Sequence, residues 1–76
     1  MSKLPRQLSY RKVIKALRRA RFRVHRQRGS HIILTKPGQI ATLSVPNHTQ
    51  VARGTLRSLI AKAGLTVEEF LQALES

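Results

Sequence analysis

The run Phe22-Arg23-Val24-His25-Arg26-Gln27-Arg28-Gly29-Ser30-His31-Ile32-Ile33-Leu34-Thr35 reads as a β-hairpin. Phe22-Arg23-Val24-His25 alternates apolar and polar side chains, so a strand is predicted from Phe22 to Arg28. Gly29-Ser30 supplies a two-residue turn with glycine first, as a type II′ turn prefers. His31 to Thr35 is a β-branched second strand. In that register Arg28 pairs with His31 and Arg26 with Ile33, and paired residues share a face of the sheet. Arg26, Arg28 and His31 then cluster at one end of the hairpin, with His25 on the opposite face. A turn one residue longer would reverse the assignment.

Downstream, Pro37-Gly38 makes a further turn. Ile40 to Val45 follows as a third strand, with Ala41, Leu43 and Val45 on one face. Pro46 ends it, and Asn47 to Gly54 reads as a polar loop. Thr55 is the expected cap of a helix whose Leu56, Leu59, Ile60 and Ala63 recur at helical spacing, with Gly64 as its C′ residue. Thr66 and Glu69 fit a capping box for a last helix with the stripe Val67, Phe70, Leu71 and Leu74. Upstream, Ser9 is the expected N-cap of a helix over Tyr10–Ala20, with Tyr10, Val13, Ile14 and Leu17 as its apolar stripe. The order α-β-β-β-α-α defines an α+β fold: a three-stranded antiparallel sheet with helices on one face. Residues 1–76 are read as a single domain.

Charge sets the class of partner. Fifteen Lys and Arg stand against three Glu, a formal charge of +12, with no Asp, Cys or Trp. Eleven of those cations fall within residues 1–28, and all three acids lie between Glu68 and Glu75. The basic first helix interleaves no acid among Arg11, Lys12, Lys15, Arg18 and Arg19, whereas a merely soluble face mixes signs. A polyanion is the expected partner. Without Cys there is no disulfide framework, thiolate zinc site or cysteine nucleophile. The apolar face of the basic helix is needed for the core of so small a domain, so a membrane-surface role is not expected. No run reaches the roughly 18–20 apolar residues of a membrane span, and Met1 to Arg6 lacks a signal-peptide core. The chain reads as cytoplasmic.

Tyr10, Phe22 and Phe70 are the only aromatics, all on apolar stripes or strand faces, so base stacking is not indicated. The spacings of His25, His31 and His48 match no metal motif, and no cofactor or metal is expected. Metal-assisted hydrolysis needs carboxylate ligands, yet Glu68 and Glu69 point to different sides of one helix. RNA allows another route, because its 2′-hydroxyl attacks the adjacent phosphorus. The protein then supplies a proton-transfer group active near neutrality, usually His, and cations for the charge on phosphate. His31 beside Arg26 and Arg28 meets both needs. On the residues alone a plain polar hairpin position is the commoner role for such a histidine. Ser30 lacks the buried acid that would make it a triad nucleophile. A non-catalytic double-stranded RNA-binding module, a DNA binder and a protein with an acidic partner share the same basic face.

Gln27-Arg28-Gly29-Ser30-His31, Val45-Pro46-Asn47-His48, Arg53-Gly54-Thr55-Leu56-Arg57-Ser58-Leu59 and Ala63-Gly64-Leu65-Thr66-Val67-Glu68-Glu69-Phe70, in that order and spacing, resemble the HicA toxins of toxin–antitoxin systems. The resemblance spans about Leu4 to Leu74. It implies a fold similar to the double-stranded RNA-binding domain. It also implies a metal-independent endoribonuclease that cuts messenger RNA, and a HicB-type antitoxin that covers its active site. The family's catalytic histidine falls on His31 in Gly29-Ser30-His31, and a second histidine after the Val-Pro pair falls on His48. On this reading Arg26, Arg28, Lys12 and Arg19 hold the phosphate backbone. Gly29 turns the chain so that His31 projects, and Ser30 donates to phosphate.

Overall fold

Ser9 begins the first helix as expected. In the computed structural model, which describes residues 4–39 and 42–75, its hydroxyl accepts from the Arg11 N–H at 3.2 Å. That satisfies one of the N–H groups a helix start leaves unpaired. The elements run β1 (Gln7–Leu8), α1 (Tyr10–Arg19), β2 (Arg23–Arg28), β3 (His31–Thr35), β4 (Leu43–Pro46), β5 (Val51–Ala52), α2 (Arg53–Lys62) and α3 (Val67–Glu75). The fold is α+β, with the antiparallel sheet β2-β3-β4 and the helix order the sequence predicts. Ile40 and Ala41, the expected start of the third strand, lie outside the described residues.

One face of the sheet carries the core. Ile32 lies opposite Val45 and Leu34 opposite Leu43, and all four are buried. The alternate positions, Ile33 and Ser44, face outward. Val13, Ala16 and Leu17 of α1 and Leu56, Leu59 and Ile60 of α2 pack into the same cluster. The buried face of α1 is centred on Ala16, so Tyr10 and Ile14 flank it half-buried instead of lying at its centre. Phe22 and Phe70 are core residues, as expected. No polar or charged side chain among the described residues is buried, so hydrophobic burial alone holds this core.

Two segments depart from the sequence reading. The expected polar loop Asn47 to Gly54 contains β5, which pairs with β1: Leu8 lies opposite Val51 and Gln7 opposite Ala52. Leu8 and Val51 are both buried, and that burial is what pulls the loop into a ribbon. The ribbon also moves the start of α2. The helix begins at Arg53 with Ala52 as its N-cap and no side-chain cap bond, so Thr55 lies inside the helix and does not cap it. The last helix starts as expected. The Thr66 N–H donates to Glu69 Oε1 at 2.8 Å, and the Glu69 N–H donates to Thr66 Oγ1 at 3.1 Å.

Helices α1 and α2 end in the same way. At α2 the Leu65 N–H donates to the Ile60 carbonyl and the Gly64 N–H to the Ala61 carbonyl, with Gly64 at φ +75°. At α1 the Phe22 N–H donates to the Leu17 carbonyl and the Arg21 N–H to the Arg18 carbonyl, with Arg21 at φ +76°. Both are Schellman motifs, and the left-handed position is one that glycine normally fills. Among the described non-glycine residues, Arg21 alone has a positive φ.

Candidate functional site

Gly29 has φ +60° and Ser30 does not share the positive sign, the pattern of a type II′ turn. That turn closes the hairpin in the expected register: Arg28 opposite His31, Gln27 opposite Ile32 and Arg26 opposite Ile33. Across β3, His31 lies opposite Pro46 and Ile33 opposite Ser44. Two rows therefore cross the outer face of the sheet, Arg28–His31–Pro46 and Arg26–Ile33–Ser44. The Gln27 side-chain amide donates to the Gly29 carbonyl at 3.2 Å and braces the turn.

A β-bulge interrupts β2. Val24 opposes Leu34 and the next pair is Arg26 with Ile33, so His25 has no cross-strand partner. The expectation that His25 simply faces away from Arg26 is therefore corrected, because the alternation behind it breaks at His25 itself. The bulge also resets the residues before it. Arg23, opposite Thr35, joins Arg26, Arg28 and His31 on the outer face. Sequence alternation alone puts Arg23 on the other side; an extra residue in the strand leaves no mark in the composition.

The tip of the hairpin is bound to the end of β4. The Asn47 N–H donates to the Ser30 carbonyl at 2.7 Å. The His48 N–H turns back to the Pro46 carbonyl at 2.8 Å, and the His48 carbonyl accepts from the Tyr10 N–H at 3.1 Å. Three backbone bonds thus gather Gly29-Ser30-His31, Asn47-His48 and the start of α1 at one end of the molecule. Ser30, His31 and His48 are exposed there, as are Arg26 and Arg28. This is a surface ridge, suited to a large flexible substrate that approaches from solvent.

The helix cations are divided. Lys12 is exposed within one turn of the Tyr10–His48 bond, at the same end as the hairpin tip. Arg19 lies at the far end of α1 and donates to the Ala73 carbonyl of α3 at 2.9 Å, so the structure does not bring it to His31. Its link to α3 is a tertiary tie that no local pattern announces. Arg11 donates from Nε to the Tyr10 hydroxyl at 3.2 Å, and its guanidinium lies 5.8 Å from the Tyr10 ring centroid. That hydrogen bond, and then the charge of the phenol oxygen, push the Arg11 pKa up.

Chemically, the ridge offers imidazoles for proton transfer and guanidiniums for a phosphate. Among the described residues no three of His, Cys, Asp or Glu come together to hold a metal ion, and the Glu residues lie on α3. No helix among the described residues is long and apolar enough to cross a membrane.

The family model described as the HicA toxin of bacterial toxin–antitoxin systems matches residues 10–65 of the 76-residue chain. That stretch includes the hairpin, His48 and α2. No curated protein matches the chain.

Proposed function

The chain belongs to the HicA toxin family of bacterial toxin–antitoxin systems, and from that premise we propose that it is an endoribonuclease that cleaves messenger RNA without a metal ion. The row Arg28–His31–Pro46 carries the reading, because it sets an exposed imidazole directly across from a guanidinium on a braced turn. In the reaction the 2′-oxygen of one ribose forms a bond to the adjacent phosphorus, and the bond from phosphorus to the 5′-oxygen of the next nucleotide breaks. One proton leaves the 2′-hydroxyl and one reaches the departing 5′-oxygen. His31 moves one of these protons. His48, held one residue beyond the Asn47–Ser30 bond, stands at the same end of the fold for the other. Arg28 and Arg26 offset the charge that develops on the phosphate oxygens. Ser30 donates to phosphate, and Lys12 holds the strand as it enters.

The neutralising partner is a HicB-type antitoxin seated over the hairpin tip, and the toxin acts in the cytoplasm, where messenger RNA is met. Incubation of the purified protein with RNA tests the activity. Cleavage is expected to persist in chelator and to leave a 2′,3′-cyclic phosphate and a 5′-hydroxyl. It is expected to fall at least about a hundredfold in His31→Ala, the usual scale of lost general acid–base catalysis. An all-deoxy strand, lacking the nucleophile, is expected to stay intact. Binding without new ends would instead establish a non-catalytic RNA-binding module.

A further inference from the structure

At the opposite end of the hairpin from His31, a second group of cations surrounds a concavity of about 480 Å³ lined by Arg18, Arg21, Phe22, Arg23, Lys36 and Pro37. No carboxylate lines it. Among the described residues, Arg18, Arg21 and Arg23 have neither an ion pair nor a hydrogen-bond partner for their side chains. Lys36 Nζ lies 5.5 Å from the Phe22 ring centroid. Four like charges around one hollow repel each other unless an anion sits among them. The dipole at the end of α1 accounts for Arg18 in the last turn but not for the cations beyond it.

Arg21 points the same way. It holds the left-handed position that Gly64 fills at the matching end of α2, so a strained arginine stands where the backbone favours glycine. Strain kept at a cationic concavity indicates that the side chain has a use there. The bulge at His25 completes the geometry. By returning Arg23 to the outer face it makes Arg23, Arg26 and Arg28 one row that runs from the hollow to His31. Five residues of strand separate Arg23 from Arg28, about 16 Å, or about five nucleotides at the rise of a helical strand.

We propose that the Arg18–Arg21–Arg23–Lys36 hollow is a second phosphate-binding site, which holds the RNA backbone several nucleotides away from the phosphate cut at His31. The inference rests on the ribonuclease reading above. Its ligand is the sugar–phosphate backbone of a strand long enough to lie along β2, and its contacts are independent of sequence.

Binding and cleavage are measured separately. Affinity is read by fluorescence anisotropy in a His31→Ala background, with one RNA longer than the span and one shorter. Arg21→Gly and the triple variant R18Q/R23Q/K36Q are each compared with that parent. Long RNA is expected to bind at least tenfold more weakly to the triple variant. The slope of log affinity against log salt is expected to fall by about 1.4, two phosphate contacts at about 0.7 each. Arg21→Gly is expected to weaken long-RNA binding while raising the melting temperature, so misfolding cannot account for the loss. Arg21→Lys, which keeps the cation, is expected to restore binding. Short RNA is expected to bind all variants equally. In the protein that keeps His31, the same substitutions are expected to raise KM for long RNA and to leave kcat within about twofold.

Unchanged affinity and salt slope for long RNA would overturn the proposal. So would loss of binding to a purified antitoxin with RNA binding intact, since the hollow would then be a protein contact. If the slope shifts but the protein that keeps His31 cuts no RNA, the ribonuclease reading fails and the hollow stands. If the protein that keeps His31 cuts RNA but the slope does not move, only the hollow fails.

Discussion

Two residues with positive φ carry opposite lessons. Gly29 occupies the first position of the hairpin turn at φ +60°, where a Cβ meets no neighbour within 4 Å but strains the backbone. Gly29→Ala is therefore expected to cost about 1–2 kcal/mol through backbone conformation alone. The melting temperature is expected to drop by at least roughly 4–8 °C in a domain of this size. Cleavage is expected to fall further than stability explains, because His31 and Arg28 meet only in the two-residue turn. At Arg21 the sign reverses: Arg21→Gly is expected to add about 1 kcal/mol, read by thermal melting. The first of these positions was legible in the sequence, since glycine before serine between two strands names the turn. The second was not, because nothing in Arg18-Arg19-Ala20-Arg21 distinguishes an arginine in the left-handed region from its helical neighbours; only the paired bonds to Leu17 and Arg18 show it.

At the scale of elements, local chemistry was readable and tertiary pairing was not. The N-cap at Ser9, the capping box at Thr66 and the register Arg28–His31 all follow from residues a few positions apart. Thr66→Ala is expected to cost about 1 kcal/mol, seen as a lower midpoint in urea with an unchanged slope. The β1–β5 ribbon, by contrast, joins Leu8 to Val51, and each segment alone is too short to show a strand period. The bulge at His25 belongs to the same class. It also bears on solubility, since β2 is an edge strand with all six residues exposed. Its arginines and the bulge discourage pairing with another chain. Replacing Arg23 and Arg26 with Thr is expected to cause concentration-dependent association, visible by light scattering, even where folding is retained.

Across the whole molecule, cations spread over the sheet and two helices while the acids are confined to one helix. The cationic row lies on the outer face of the sheet, whereas Glu68, Glu69 and Glu75 lie on α3, which packs against α1 on the helical side. RNA affinity is expected to fall steeply between low and moderate salt, as counterion release requires, and a plot of log affinity against log salt checks it. The excess of cations has a kinetic consequence as well. A chain of formal charge +12 is drawn toward a polyanion while still in solution. Attraction at a distance then lifts the association rate toward the diffusional range. With the three glutamates confined to α3, no carboxylate stands on β2 or β3 to repel the approaching phosphates.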